Sequence, residues 1–303
     1  MMRQTLLYLA ERPSLKQLFG SPLARPLVRR FVAGETRADA LAAVERLNSA
    51  GIAATLDFLG ESVRDAEAAR AAAEEYVALL QAIDAHRLNS NISLKLTQLG
   101  LDIDRELCRA NLLRVVRQAA ELDCFVRIDM ESSAYTQVTL DLFEEIYASH
   151  RNVGVVIQAY LYRSAADVRR LNQLGARVRL CKGAYNEPAS VAFPKKADTD
   201  RNYIALMQEL LREGNYPAIA THDEHMIEAT RAFAERSGIG AERFEFQMLY
   251  GVRRDLQERL VRDGYRVRAY VPYGDQWYPY FMRRLAERPA NLLFVLGGVL
   301  RER

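Results

Sequence analysis

Eight short apolar runs, many of them β-branched, alternate with amphipathic stretches from residue 38 to residue 271. The runs cover 52–59, 91–96, 124–130, 153–161, 178–182, 218–221, 244–249 and 267–271. Helix-like stretches accompany them at 38–50, 63–85, 105–122, 135–149, 165–174, 201–213, 224–236 and 253–262. Strands alternating with helices of this length form right-handed βαβ units around a parallel sheet. Eight such units predict an α/β fold of the (β/α)8 TIM-barrel type, which typically needs about 250 residues. An open doubly wound sheet is the rival, because periodicity does not report closure. No Gly-x-Gly-x-x-Gly follows the first run, so the dinucleotide-binding form of that rival lacks its fingerprint. Residues 1–35 read as an N-terminal helical arm, punctuated by Pro13, Pro22 and Pro26 and closed by Gly34. No linker or composition shift divides 36–303, which reads as one barrel domain.

Composition excludes several classes. A net charge of +3, with no basic run interleaved with aromatics, gives no electrostatic footprint for nucleic acid. Cys108, Cys124 and Cys181 are isolated and form no CxxC pair, so neither a zinc site nor a disulfide framework is expected and a reducing cytosol is the simplest compartment. The apolar run 6–10 is too short, and too soon followed by charges, for a signal peptide or membrane span. His222 and His225 are three apart in THDEH, but His86 and His150 fall at helix ends, so no metal site is expected.

A barrel of this type carries its site at the carboxyl ends of the strands. Those ends read Asp57, Lys95, Asp129, Gln158, Lys182, Thr221 with His222, Gln247 and Tyr270. Each has a plain alternative reading as a polar residue where a strand meets water; their convergence on one rim is the argument for a site. Within strands, Arg127 shares a face with Asp129, and Arg177 with Arg179 and Cys181. Arg127 and Arg177 suit an internal ion-pair layer filling the barrel. Lys195 and Lys196 precede a helix N-terminus expected near Thr199, where a phosphate or plain solvation of a basic pair fits equally.

After the eighth run a Pro-Tyr-Gly turn leads into a helix expected to start near Asp275. On it Tyr280, Arg283, Arg284 and Glu287 share one face, with Phe281, Met282 and Leu285 on the other side. Adjacent arginines suit planar, bidentate binding of a carboxylate, and a solvated helix face is the alternative.

Taken together these motifs are similar to those of one family. SLKLTQLG (93–100), RIDME (127–131), VVIQAYL (155–161), RLCKGAY (179–185), ATHDEH (220–225), FEFQMLYG (244–251) and the Tyr-x-x-Arg-Arg-x-x-Glu of the last helix stand in the order found in bacterial proline dehydrogenases. The chain resembles the monofunctional members, which lack the fused aldehyde dehydrogenase of the bifunctional ones. The resemblance implies FAD-dependent oxidation of L-proline to Δ1-pyrroline-5-carboxylate by hydride transfer to flavin N5, the first step of proline catabolism, with the flavin reoxidised by a membrane quinone. It also implies a cytoplasmic protein that touches the inner face of the membrane, and a separate pyrroline-5-carboxylate (glutamate semialdehyde) dehydrogenase as a candidate partner. The leucines of the N-terminal arm, from Leu6 to Leu18, are candidates for membrane contact, with packing against the barrel as the alternative.

By the same resemblance Arg283, Arg284 and Lys95 would bind the substrate carboxylate. Tyr270, Tyr280 and Leu249 would wall the ring, Asp129 would shape the pocket floor, and Glu61 would act as a gate paired with Arg283. Arg179 would sit at the flavin N5 and Gln158 against the ring system. Lys182, Gly183, Ala184, Lys196, Thr221, His222, Gln247 and Glu287 would line the rest of FAD. Asn186 and Asp223 depart from the Trp and Asn usual in bifunctional members, and Lys195 from an Arg. Two other classes stay in view: a metal-dependent barrel hydrolase using His222, His225 and Asp129, and a non-catalytic amino-acid-binding barrel.

Overall fold

The computed structural model describes Phe19 and residues 25–287, the last two by backbone alone. Most of the expected N-terminal arm, with its leucines from Leu6 to Leu18, lies outside the described residues. Eight parallel strands close into a barrel in sequence order: β1 Ala53–Phe58, β2 Ser90–Leu94, β3 Val126–Ile128, β4 Val153–Gln158, β5 Val178–Cys181, β6 Ala218–Ala220, β7 Glu245–Leu249 and β8 Val267–Tyr273. Ten helices accompany them among the described residues: α1 Arg25–Arg29, α2 Arg37–Ser49, α3 Ala66–Ala85, α4 Arg105–Glu121, α5 Ser133–Tyr147, α6 Ser164–Leu174, α7 Lys196–Glu213, α8 Glu224–Arg236, α9 Arg254–Arg262 and α10 Trp277–Glu287.

Local chemistry sets the joints. Thr36 and Asp39 form a capping box at the start of α2, and Asp65, Asp104 and Asp223 accept first-turn amides of α3, α4 and α8. Gly175 closes α6 in the left-handed conformation. Leu56, Leu94, Ile128, Leu180, Ile219 and Phe246 are buried, on the strand positions that alternate with the interior-facing ones. The register joins the alternate positions into an interior face: Thr55 lies beside Tyr270, Asp57 beside Ser93, Ser93 beside Arg127, and Leu249 beside Tyr270.

The lower interior differs from the expected ion-pair layer. Arg177 is exposed just before β5, its guanidinium over the Phe125 and Tyr216 rings. Arg127 is buried but donates to the carbonyl oxygens of Val155 and Arg177. The ion pair there is Arg268–Glu245, at 2.9 Å. The helix after β5 begins at Lys196, capped by Lys195 in extended conformation, so Thr199 is a buried residue of its first turn and not its cap. The last helix starts at Trp277, two residues past Asp275.

That last helix, α10, is anchored by its apolar side. Phe281, Met282 and Leu285 are buried with Val28, Phe31, Val32 and Leu59, and Phe19 meets Phe281 edge-on at 5.1 Å. The segment between α1 and α2 is tied to the barrel end: Ala33 N donates to Pro272 O and Gly274 N to Gly34 O. At Gly251 the backbone has φ +72°, and a Cβ there would stand 1.6 Å from the carbonyl oxygen of Arg30. Gly251→Ala therefore combines left-handed strain with a backbone clash. The expected outcome is a fall in thermal midpoint of about 5 °C with far-UV dichroism retained; an unchanged midpoint would contradict the docking of this segment.

Candidate active site

The carboxyl ends of the strands open into a cleft of about 770 Å³, a size typical of small-molecule and cofactor sites. Period-two alternation delivers its floor. Ser93, Asp129, Arg179, Gln247 and Tyr270 point inward from five different strands or strand ends, and Asp129 joins most of them. Its Oδ1 accepts from Ser93 Oγ and from Arg179 Nη1, each at 2.7 Å, and its Oδ2 accepts from Tyr270 OH at 2.7 Å. Lys95 Nζ lies 4.0 Å from the same Oδ2 and 3.2 Å from both oxygens of Asp57, which is fully buried. Arg179 Nε also donates to Gln247, which donates in turn to Glu245, and its guanidinium lies 5.4 Å from the Tyr270 ring centre.

Two buried cations thus meet two buried carboxylates, with hydrogen bonds on the remaining lone pairs, as buried charge requires. Burial pushes the Lys95 ammonium down, but the Asp57 and Asp129 carboxylates, aided by Glu61, more than offset it and hold the group above its ordinary value. Burial, then Asp129 and Asp57, push the Tyr270 phenol well up, so it is a neutral donor to Asp129.

α10 supplies the opposite wall. Its apolar anchor turns Tyr280, Arg283 and Arg284 into the cleft. Tyr280 is buried, and the Arg284 guanidinium lies 5.1 Å from its ring centre. Arg283 Nη1 donates to Glu61 Oε1 at 2.8 Å across to the segment after β1. Both partners remain about one-third exposed, at 32% and 33%. Burial pushes Arg283 down and Glu61 pushes it up, with a net upward result. Glu61 itself lines an adjoining hollow of about 610 Å³, between the end of β1, α3 and α10, which shares Lys95, Tyr280 and Arg283 with the cleft.

The other end of the cleft is built by the turns after β5 and β6. Gly183 has φ +119°, and a Cβ there would stand 2.4 Å from the Tyr160 ring. Lys182 Nζ reaches Asp200 at 2.5 Å and Asp223 at 2.7 Å, and Lys196 also pairs with Asp200. Thr221 Oγ1 accepts from Asp223 N at 3.1 Å. His222 Nε2 accepts from Leu249 N at 2.8 Å, which occupies that lone pair. Gln158 Nε2 donates to the Glu131 carbonyl at 2.9 Å. Among the described residues no group of three or more His, Cys, Asp or Glu is arranged to hold a metal ion.

The cleft brings together Lys95, Asp129, Gln158, Arg179, Lys182, Gly183, Ala184, Thr221, His222, Gln247, Leu249, Tyr270, Tyr280, Arg283 and Arg284. Lys196 stands outside its lining and is linked through Asp200, and Glu61 is linked through Arg283. Glu287 belongs to α10, with its side chain outside the described residues. Several lining or supporting residues were given no site role from sequence, although Asp57 was read among the strand ends and Cys181 on the face of Arg179. Tyr185 lines the cleft, its phenol pushed up by burial and by Glu61. Cys181 lines it as a neutral thiol that burial pushes up to about 12. Asp57, Ser93 and Asp200 hold other site groups. The signal for Asp57 was a lone carboxylate inside the apolar run AATLDF; nothing local marked Tyr185 apart from its place in KGAY.

The proline dehydrogenase family profile matches residues 40–296. Proline dehydrogenase 1 of Bacillus subtilis (strain 168) is 45% identical, the match covering 100% of both chains. Proline dehydrogenase of Deinococcus radiodurans is 43% identical, with 99% of this chain and 98% of the relative covered. Among solved structures, that of proline utilization A from Bdellovibrio bacteriovorus, inactivated by N-propargylglycine, superposes with a TM-score of 0.81 at 28% identity. That match covers 87% of this chain and 33% of the other, so the chain spans about a third of its length.

Lys95→Met would leave the Asp57 carboxylate buried without its nearest cation. The expected cost is a fall in thermal midpoint of about 10 °C, partly recovered in the Asp57→Asn/Lys95→Met double variant. Because the folded-state Lys95 is held above its ordinary 10.5, its contribution is present below that value and fades only as pH rises beyond it. Burial raises the Asp57 carboxyl even beside Lys95; without Lys95 it is raised further and can take up a proton in the folded variant, so the deficit should shrink as pH falls from about 9 to 6. A single variant as stable as the parent, or a deficit that grows as pH falls across this window, would contradict the assignment.

Proposed function

The chain belongs to the proline dehydrogenase family, and we propose that it oxidises L-proline to Δ1-pyrroline-5-carboxylate, using FAD and a membrane quinone. Relatives named for that activity match this chain over nearly its whole length. The observation that carries the substrate reading is the Glu61–Arg283 contact beside the Asp129 cluster. Lys95 and Arg179 are committed to buried carboxylates. Arg283 holds a carboxylate that is one-third exposed, so exchanging it for the carboxylate of an incoming amino acid involves little further desolvation.

In this reading Arg283, with Arg284, fixes the carboxylate by planar hydrogen bonds, and Glu61 is released as the pair exchanges. Tyr270, Tyr280 and Leu249 form the apolar wall for the ring. The Asp129–Tyr270 bond holds the phenol in place, and Lys95, spanning Asp57 and Asp129, keeps the floor neutral overall. Fixing the carboxylate orients the ring carbon next to nitrogen, and orientation of this kind contributes several kcal/mol in favourable cases. The neutral amine of the substrate stabilises the developing C=N bond as that carbon loses its hydrogen with the electron pair; the N–H proton leaves to solvent. FAD, when bound, supplies the N5 acceptor for that hydride and the route of its two electrons to the quinone.

The residues present fit that group. Gly183 leaves bare backbone at the cleft, Lys182 and Lys196 bring positive charge, Thr221 adds a hydroxyl, and Arg179, Gln158 and Gln247 offer polar atoms beside the substrate pocket. A peripheral contact from the cytoplasmic side is the proposed route to the quinone; no helix among the described residues is long and apolar enough to cross a membrane. The product would pass to a separate pyrroline-5-carboxylate dehydrogenase. Occupation of His222 Nε2 by the Leu249 amide counts against the metal-hydrolase alternative.

A visible spectrum tests the reading. The purified protein, reconstituted with FAD where needed, should carry a flavin band that bleaches on anaerobic addition of L-proline. A flavin band that survives L-proline would reduce the chain to a binding barrel. Arg283→Met should raise KM for L-proline about 100-fold with a smaller change in kcat; an unaltered KM would remove Arg283 from the substrate site.

A further inference from the structure

The cation pair at the cofactor end of the cleft is already neutralised from within the chain. Lys182 Nζ sits between Asp200 Oδ1 at 2.5 Å and Asp223 Oδ2 at 2.7 Å. Lys196 Nζ bonds the other oxygen of Asp200 and lies 3.9 Å from Asp223 Oδ2. Two ammonium groups therefore face two carboxylates. Both carboxylates are partly buried, and burial alone would raise them; the hydrogen bonds and charges of Lys182 and Lys196, with the His225 amide at Asp223, together outweigh it and hold both below their ordinary values. They are ionised at neutral pH.

Asp223 has two separate duties in this arrangement. Its Oδ1 accepts from His225 N at 3.1 Å and caps α8, and its Oδ2 engages Lys182. An asparagine performs the first as well as an aspartate but brings no charge to the second. Asp223 lines the cleft beside Lys182, Thr221 and His222. An anionic group arriving there must either draw the lysines away from their carboxylates or lie close to uncompensated negative charge. Either route weakens its binding.

Resting on the FAD reading above, we infer that Asp223 competes with the phosphate groups of the dinucleotide for Lys182 and Lys196. Asp200 acts in the same direction from α7. Cofactor affinity in this chain is then limited by a carboxylate at the cleft wall, and removing that charge tightens binding. A role for Asp223 in merely positioning Lys182 requires the opposite sign.

The test is a titration of the full-length apoprotein with FAD, read by quenching of flavin fluorescence at low ionic strength, with riboflavin as a probe that lacks phosphate. Asp223→Asn should lower the Kd for FAD about tenfold, leave the Kd for riboflavin unchanged, and show a gain that shrinks as salt is added. Asp200→Asn, on a different helix, should act in the same direction and keeps the test available if the first variant does not fold. A Kd for FAD that is unchanged or raised in both variants overturns the inference, as does an equal change for riboflavin. A parent protein that takes up no FAD overturns the cofactor reading along with it; one that takes up FAD with no gain in the variants overturns this inference alone.

Discussion

Asp129 organises the interior of the cleft through three hydrogen bonds. One carboxylate at the end of β3 collects a hydroxyl from β2, a guanidinium from β5 and a phenol from β8. These groups come from around the barrel, so their meeting depends on closure of the sheet. In low dielectric the charges of Asp129 and Asp57 are tolerable only because Lys95 and Arg179 stand against them, and the reverse holds equally. In the proposed reading this gives specificity by exclusion: Lys95, expected from the resemblance to share the substrate carboxylate, and Arg179 are already engaged, which would leave that carboxylate to the guanidinium groups of α10.

That division of labour explains why the last helix matters out of proportion to its length. Its apolar side is buried with residues from the segment before α2, and that segment is bonded to the end of β8 and pressed against Gly251. The arginines are thus placed by packing that lies outside the eight repeating units. The floor is buried and electrically balanced, whereas the Glu61–Arg283 contact is partly exposed. In the proposed reading a charged ligand takes up the exposed contact and leaves the buried ion pairs undisturbed.

The barrel was legible because parallel strands covered on both sides read as nearly unbroken apolar runs, and eight of them leave few topologies. Boundaries were less so. β2 stops at Leu94, before Lys95, and β8 continues through Pro272 to Tyr273, because pairing with β1 extends it. Most residues of the cleft were legible as polar groups where apolar runs end, and the resemblance supplied their proposed roles. Side-chain partners were not legible. Asp200 and Asp223 reach Lys182 from two other elements, and no spacing rule connects them. Arg177 was misplaced because a charge next to an apolar run looks internal until the strand's first residue is known; β5 begins one residue later, and Arg177 meets solvent and two aromatic rings instead.

A structure of the protein with cyclopentanecarboxylate bound would test the central claim most directly, since this ligand keeps the carboxylate and ring of the substrate and lacks the amine. The Lys95–Asp57 and Arg179–Asp129 contacts should persist, with Arg283 turned from Glu61 to the ligand carboxylate. A carboxylate seated on Lys95 or Arg179, with the Glu61–Arg283 contact intact, would contradict that claim.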